Sequence, residues 1–560
     1  MPEYNYPHPA EQYLTVPGDE SCYEYLCASH DRIKKDYNDW CALVNLNSKT
    51  MISQLLDDIE KLAAYLAYNG FKKGDVFSIF LPTSAHAFSA FYALNKLGII
   101  ASFIHPLTPP GQLKEMLELT KSKGIFVLDR ASGNFADILR GTHTIVCSTS
   151  DYCNGVEKEY VRLDDEKNSN VPDGENIHLY RDIMAGSYPA AETVKHLGKE
   201  TVIYLHGGGT TGKSKTIQHS SYALNNLAYK LYLYDYNHDY GDAYNICALP
   251  CFHAFGLGGA MHYAICNAFG AILMPKFDAV AANNYIKNYN VSEILGVPNM
   301  FYKMYAADNF VNPGLKNLKL IFSGGDILSE EFVQRFTATL RENGSPATLF
   351  RGWGLTEMCA ICTTNCNAYY KEESVGIPLE GVEVKIVGAN GEVLPAGETG
   401  ELCLSGDTMM NGYLPDGVVT ESGITYDENG KPWIHSGDMG MMDDEGFVFF
   451  TGRKKRIIII SGYNVYPYTM EQKIMEKEYV KEVCAVQGYL DGKSVIKLCL
   501  SLNETDMTED EIKKDITAYC EENLDHFSVP RKIEFFDLLP RTKMEKLDFM
   551  AMSDPAPAKA

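Results

Sequence analysis

Between residues 50 and 130, short apolar runs alternate with amphipathic stretches, and this alternation restricts the fold more than any other feature. Apolar positions Ile52, Leu55, Leu56, Ile59, Leu62 and Leu66 recur at helical spacing across 50–69, and Gly70 ends the run. Then 76–81 reads as a buried strand, 85–97 as a helix, 99–104 as a strand, 110–120 as a helix and 124–128 as a strand. Strands that are apolar throughout need both faces covered, and helical crossovers make successive strands parallel. The pattern returns at 201–205, 271–274, 293–297 and 318–322. After about Gly376 the character changes: 382–387, 400–405 and 447–451 are short strands between Gly- and Asp-rich turns. The segment 465–547 reads helix–strand–strand–helix–strand, compact enough for a small α+β domain, with a boundary at the basic stretch 453–456.

At 560 residues the chain can bury a large core and form more than one domain. The formal net charge of -23 argues against a general nucleic-acid binder, which needs clustered Lys and Arg. A few local donors can still hold a triphosphate inside an acidic protein. Residues 1–14 lack a basic region followed by an apolar one, and the most apolar runs, 97–104 and 457–460, are too short to span a bilayer. A cytoplasmic protein with no transmembrane segment is therefore expected. The 15 cysteines are scattered and read as reduced and packed. Cys359, Cys362 and Cys366 have spacing that suits a metal, but no fourth ligand is evident. The Pro/Ala-rich tail 553–560 reads as disordered.

The strand at 201–205 runs into Gly207-Gly208-Gly209-Thr210-Thr211-Gly212-Lys213-Ser214-Lys215. Glycines let the backbone approach a ligand, its N–H groups cradle phosphate oxygens, and the hydroxyls and lysines add donors and charge. Two families of site fit. Gly207 to Ser214 satisfies the P-loop pattern, with Lys213 on phosphate and Ser214 on the metal. Alternatively Thr210, Thr211, Gly212 and Lys215 form a different polyphosphate loop.

Further blocks follow. Pro250-Cys251-Phe252-His253-Ala254-Phe255-Gly256 places a histidine in an apolar stretch, where alone it is more often a core residue. Ser323-Gly324-Gly325-Asp326 follows a strand, as glycines lining a ligand crevice do, and Asp326 is also a candidate helix cap. Arg351-Gly352-Trp353-Gly354-Leu355-Thr356-Glu357 combines a flat aromatic, a hydroxyl and a hard oxygen ligand suited to Mg²⁺. Trp433-Ile434-His435-Ser436-Gly437-Asp438 offers a carboxylate that accepts from two hydroxyls, although an Asp in a turn often does no more than shape it. Gly452-Arg453-Lys454-Lys455-Arg456 is followed by 457–460 and by Ser461-Gly462-Tyr463. Near the end come Pro540-Arg541-Thr542-Lys543-Met544-Glu545-Lys546.

In this order and spacing the blocks resemble the acyl-adenylate-forming (AMP-binding) superfamily, of the acyl-CoA synthetase or fatty-acid–CoA ligase type, over about residues 13–549. Within the glycine loop Ser214 and Thr216 stand where that family has proline and glycine, and Glu545 replaces a glycine before Lys546. The resemblance implies an N-terminal domain of parallel sheets, helices and a small distorted barrel (1–454) and a small mobile α+β lid (455–560). It implies ATP, Mg²⁺ and coenzyme A as the reaction's partners, and a carboxylic acid, medium- or long-chain or aromatic, as substrate. Thr210, Thr211, Gly212 and Lys215 would hold phosphates, Gly324, Gly325, Asp326, Trp353 and Gly354 the adenine, Asp438 the ribose, and Arg453 the ribose or phosphate. Thr356, Glu357 (on Mg²⁺), His253 and Lys546 would be catalytic, Lys455 the hinge, and Gly462 the coenzyme A tunnel. The rivals are acyl-AMP transfer to a carrier protein and a P-loop NTPase using Lys213. The oligomeric state stays open.

Overall fold

The computed structural model describes residues 14–195, 198–207, 215–234, 241–326, 328–415, 423–460, 463–490, 493–524, 526–541 and 547–555. Two large sheets carry the N-terminal part. In the first, the strand order is Ile377–Pro378, Thr363–Thr364, Leu349–Trp353, Leu320–Ser323, Val291–Gly296, Tyr244–Cys247, Gly270–Leu273, Cys41–Asn45 and Ser48–Met51. In the second it is Gly412–Leu414, Lys215–Ser220, Thr201–Gly207, Ile100–Phe103, Val76–Phe80, Ser122–Leu128, His143–Cys147 and Ile177–Leu179. The central strands of both are parallel; antiparallel pairs sit at both ends of the first sheet and at the Gly412–Leu414 end of the second, whose other end stays parallel. The apolar strands expected from sequence fall within these sheets, with bounds shifted by one or two residues.

Helices fill the space beside the strands. In Ala85–Lys96 every residue is buried. A helix apolar on all sides must be a core helix rather than a surface one. It packs on Val76–Phe80 and Ile100–Phe103 and against the helices Cys22–Ile33 and Ile52–Tyr68. The Ser84 hydroxyl caps its first turn by accepting from Ala87 N, and its few polar groups are partnered: His86 to Asp151 at 3.0 Å, Lys96 to Glu60 at 2.7 Å. The helix Ser221–Tyr234 lies on the Thr201–Gly207 and Lys215–Ser220 strands and against a π-helical turn, Phe255–His262. That turn is close-packed: a Cβ at Gly256 would lie 2.0 Å from the Pro250 carbonyl oxygen.

Thr201–Gly207 and Lys215–Ser220 are antiparallel partners, Gly207 opposite Lys215. This overturns the P-loop expectation built on Lys213. A P-loop lysine opens a helix whose N-terminus faces the phosphates, whereas here the chain leaves the glycine turn as a strand.

The expected small barrel takes the form of a five-stranded antiparallel sheet of Val382–Val387, Gly400–Gly406, Pro432–Met442, Ile424–Tyr426 and Val448–Arg453, whose outer strands, among the described residues, are not paired to one another. A smaller C-terminal domain follows with the predicted order: Pro467–Met475, Val480–Leu490, Lys493–Leu502, Glu509–Asn523 and Lys532–Phe535. It has its own apolar core around Met470, Ile474, Leu498, Ile512 and Ile516. Arg456 joins the linker to it, donating to both oxygens of Glu471 and to the Ala485 carbonyl at 3.2 Å. Tyr468 meets the larger part edge-on at Phe450, with ring centroids 4.8 Å apart.

Phe91 is fully buried at the centre of Ala85–Lys96. Phe91→Ala should lower unfolding free energy by about 3–5 kcal/mol through lost transfer energy and the cavity left behind, measured as a shift of the urea midpoint followed by near-UV circular dichroism.

Candidate active site

Two adjacent parallel strands, Leu320–Ser323 and Leu349–Trp353, end at glycine turns, the position where open α/β sheets present ligands. A Cβ at Gly324 would lie 3.6 Å from the Phe255 ring, and one at Gly325 3.6 Å from Val297. Phe255 meets Phe322 edge-on, centroids 5.8 Å apart. Three segments distant in sequence thus share one apolar wall. Behind it, the space between Ile203, Leu205, His219, Leu224, Ala254, Leu257 and Cys359 is too tight to admit a water molecule.

Asp438 is the most strongly perturbed carboxylate here. It is 1% exposed and accepts from the Trp353 indole Nε1 at 2.8 Å. Its Oδ1 lies 2.8 Å from Arg453 Nη1, yet without hydrogen-bond geometry, so this buried oxygen keeps an unused acceptor. Burial pushes the carboxyl up to about 6, against the pull of Arg453 and the indole N–H. The turn that carries it is fixed from behind by Glu401, which accepts from Gly437 N at 3.1 Å, from Lys454 Nζ at 2.9 Å and pairs with His435 at 3.1 Å. Burial opposes ionisation of Glu401, but the bonds from Lys454 and His435 outweigh it and leave its pKa lowered. Cys403 completes the only His/Cys/carboxylate triad with metal-like spacing among the described residues, 3.3 Å from His435 Nδ1. The Glu401 oxygens in it are already committed to Lys454, His435 and Gly437.

Thr356 and Glu357 lie in the 3-10 turn Thr356–Met358, directly after Trp353. Gly354 is obligatory: a Cβ there would sit 1.5 Å from the Ala360 carbonyl oxygen. Glu357 Oε1 accepts from the Tyr413 hydroxyl at 2.9 Å, and its carbonyl accepts from Met410 N at 2.8 Å. The Thr356 carbonyl accepts from His219 Nε2 at 2.7 Å. Glu357 is near enough to Asp438 to raise its pKa further.

The structure therefore brings Gly324, Gly325, Trp353, Gly354, Thr356, Glu357, Asp438 and Arg453 to one region. Trp353 is only 8% exposed, so its ring serves Asp438 through the indole N–H and offers little open face for stacking. His253 is exposed at the start of the π-helical turn, its ring 4.9 Å from that of Phe252. Asp326 is exposed and does not cap the next helix; the Ser329 side chain does, accepting from Phe332 N. Asp326 instead faces the C-terminal side, where its charge acts on Arg456 and Tyr468. Lys455 is exposed in the linker turn Lys454–Arg456. Lys215 opens its strand, and its side chain is outside the description, as are Thr210, Thr211, Gly212, Lys213, Gly462 and Lys546. Cys359, Cys362 and Cys366 are free and buried, with burial raising each thiol. Sequence reasoning missed His219, Tyr413 and Glu401. None lies in a motif, and His219 sits in a mixed polar strand, Lys215–Ser220, with nothing in its local pattern to single it out.

Comparison with known families gives a match of residues 31–414 to the AMP-binding enzyme model and of 469–546 to the AMP-binding enzyme C-terminal domain. The chain belongs to the AMP-binding enzyme family. Among relatives of this AMP-binding enzyme, a long-chain-fatty-acid–CoA ligase of Escherichia coli O6:H1 is 26% identical, covering 96% of this chain and 95% of that protein. One of Bacillus subtilis is 27% identical over 91% of each. Solved structures share the fold: a benzoate CoA ligase from Burkholderia xenovorans LB400, with TM-score 0.77, 19% identity and coverage of 96% and 100%, and ATP-bound MatB from Rhodopseudomonas palustris, with 0.76, 20%, 95% and 98%.

A carboxyl whose folded pKa is raised stabilises the fold only while it is protonated, so the ligand-free AMP-binding enzyme should gain stability as pH falls through about 6. Asp438→Asn should flatten that part of the profile, measured as melting temperature between pH 5 and 8.

Proposed function

We propose that the protein is an ATP-dependent, AMP-forming acid–thiol ligase that makes an acyl-CoA by way of an acyl-adenylate. The observation that carries this is the buried Asp438 with one unused acceptor oxygen, beside Arg453 and the Thr356–Glu357 turn. A buried acceptor without a donor is costly, and a ribose hydroxyl supplies the donor. The hard oxygens of Glu357 suit Mg²⁺, which when bound would neutralise phosphate charge.

The chemistry asks the protein to join two anions. A carboxylate oxygen attacks the α-phosphorus, and the bond to pyrophosphate breaks. A thiol sulfur then attacks the acyl carbon, loses its proton, and AMP leaves. Negative charge builds on phosphoryl oxygens in the first step, so preorganised donors and cations carry the catalysis. In this scheme Thr356, the glycine turn, Lys215 and Lys546 bind phosphate oxygens, Arg453 and Asp438 orient the nucleotide, and His253 borders the acid. Lys546 lies outside the described residues, next in sequence to Leu547, which bridges to Arg541. Rotation of residues 455–560 about Lys455 would replace Lys546 by the Gly462 segment for the thiol step. The apolar wall at Phe255, Phe322 and Val297 and the fatty-acid–CoA ligases among the relatives favour a medium- or long-chain or aryl acid, handled in the cytoplasm.

Acid-dependent release of pyrophosphate and AMP across a carboxylic-acid panel is expected; ADP and phosphate as products would reject the proposal. Lys546→Ala should slow adenylation by roughly 10²–10³, as for loss of one preorganised electrostatic contact, while thioester formation from supplied acyl-adenylate persists. Equal loss in both steps would refute the alternation of Lys546 and Gly462.

A further inference from the structure

His219 is fully buried, in the strand Lys215–Ser220 that begins at the glycine turn. Both ring nitrogens are engaged by the same short turn of the active-site region. Nε2 lies 2.7 Å from the Thr356 carbonyl oxygen and Nδ1 3.4 Å from Cys359 Sγ. Burial lowers the imidazole to about 4, the Thr356 bond opposing it, so the ring is neutral near pH 7. A carbonyl can only accept, so Nε2 carries the hydrogen, and Nδ1 is left to accept from the Cys359 thiol. The ring thus spans the turn from its first residue to the residue just past its end.

The turn needs such a clamp. Cys359 has φ 58° and Ala360 φ 108°, left-handed values that side chains other than glycine rarely adopt and that persist only when surroundings over-determine them. The other ties converge on the same strand. Tyr413, which donates to Glu357, lies on Gly412–Leu414, paired to Lys215–Ser220 with Tyr413 opposite Ile217. Met410, which donates to the Glu357 carbonyl, immediately precedes this pairing. The strand that opens with Lys215 therefore holds the Thr356–Glu357 turn directly through His219 and indirectly through Tyr413.

We propose that His219 is a positioning residue for adenylation, fixing the Thr356–Glu357 turn against the strand Lys215–Ser220 so that Thr356 and Glu357 are held in place for the triphosphate. This rests on the ligase function proposed above. His219 takes no part in proton transfer: it is sealed from the cleft, and its hydrogen is committed to a backbone carbonyl. Its effect is confined to the step in which triphosphate is held, since the acyl-adenylate has lost the β- and γ-phosphates.

The test compares the parent protein with His219→Leu, which has no donor, and His219→Gln, whose amide N–H can reach the same carbonyl. Misplacement of binding groups by about 1 Å costs up to 10²-fold, so His219→Leu should lower kcat/KM for MgATP in pyrophosphate release by about 10- to 100-fold. Thioester formation from supplied acyl-adenylate should be unchanged, and His219→Gln should recover most of the loss. Unaltered pyrophosphate release in His219→Leu, or equal damage to both half-reactions without rescue by Gln, would overturn the assignment. If the parent protein releases no pyrophosphate with any acid, the ligase proposal fails instead. MgATP affinity of the three proteins by calorimetry then decides on His219, weaker binding by the Leu variant alone supporting it and equal binding overturning it.

Discussion

A carboxylate that is almost sealed from water, with a tryptophan N–H on one oxygen and an arginine beside the other, organises this molecule. Asp438 draws together the end of a parallel strand at Trp353, an antiparallel strand of the five-stranded sheet, and the last residue before the linker, Arg453. Burying a charge is expensive unless it is paired and hydrogen-bonded. Here the compensation is incomplete: Arg453 is largely exposed and poorly aligned, and one oxygen keeps no hydrogen bond. The deficit is the physical reason to expect a ligand, because a hydroxyl donor entering this site repairs an interaction the fold leaves open.

Rigidity around that carboxylate comes from backbone closeness rather than side-chain bulk. Trp353, Gly354 and the Thr356–Met358 turn approach the returning chain at Ala360 so tightly that only glycine fits at 354. Glu401 braces the Asp438 turn through Gly437 and reaches the linker through Lys454. The same glutamate thus touches both the Asp438 turn and Lys454, at the start of the linker. Among the described contacts, Lys454 ties the linker to the buried Glu401, and the more buried Arg456–Glu471 pair ties it to the C-terminal core.

Local pattern was enough to read the run of elements. Period-3.6 spacing at Ile52 to Leu66, apolar runs such as 76–81, and the helix–strand–strand–helix–strand order of the last domain all appear as expected. The residues proposed to carry ligand-binding chemistry, Trp353, Thr356, Glu357, Asp438 and Arg453, fall in dense motifs, and the fold brings these motifs into one region. Their individual partners were not legible in those motifs. Trp353 looked like a stacking surface and proved to be a hydrogen-bond donor to a carboxylate 85 residues away. Asp326 looked like a helix cap, a role that Ser329 fills.

The sequence by itself determined which segments are apolar on one face or on both, where the chain must turn, and which side chains bring charge, hydroxyls and aromatic rings, since these are properties of residues and their immediate neighbours. Only the tertiary structure decided that the glycine turn joins two antiparallel strands, so that its GKS pattern opens no helix. It alone placed His219 on Thr356 across 137 residues, and gave Asp438 both its burial and its unused oxygen. Strand direction and long-range polar pairing depend on how the sheets close in space, and neither leaves a periodic trace in the chain.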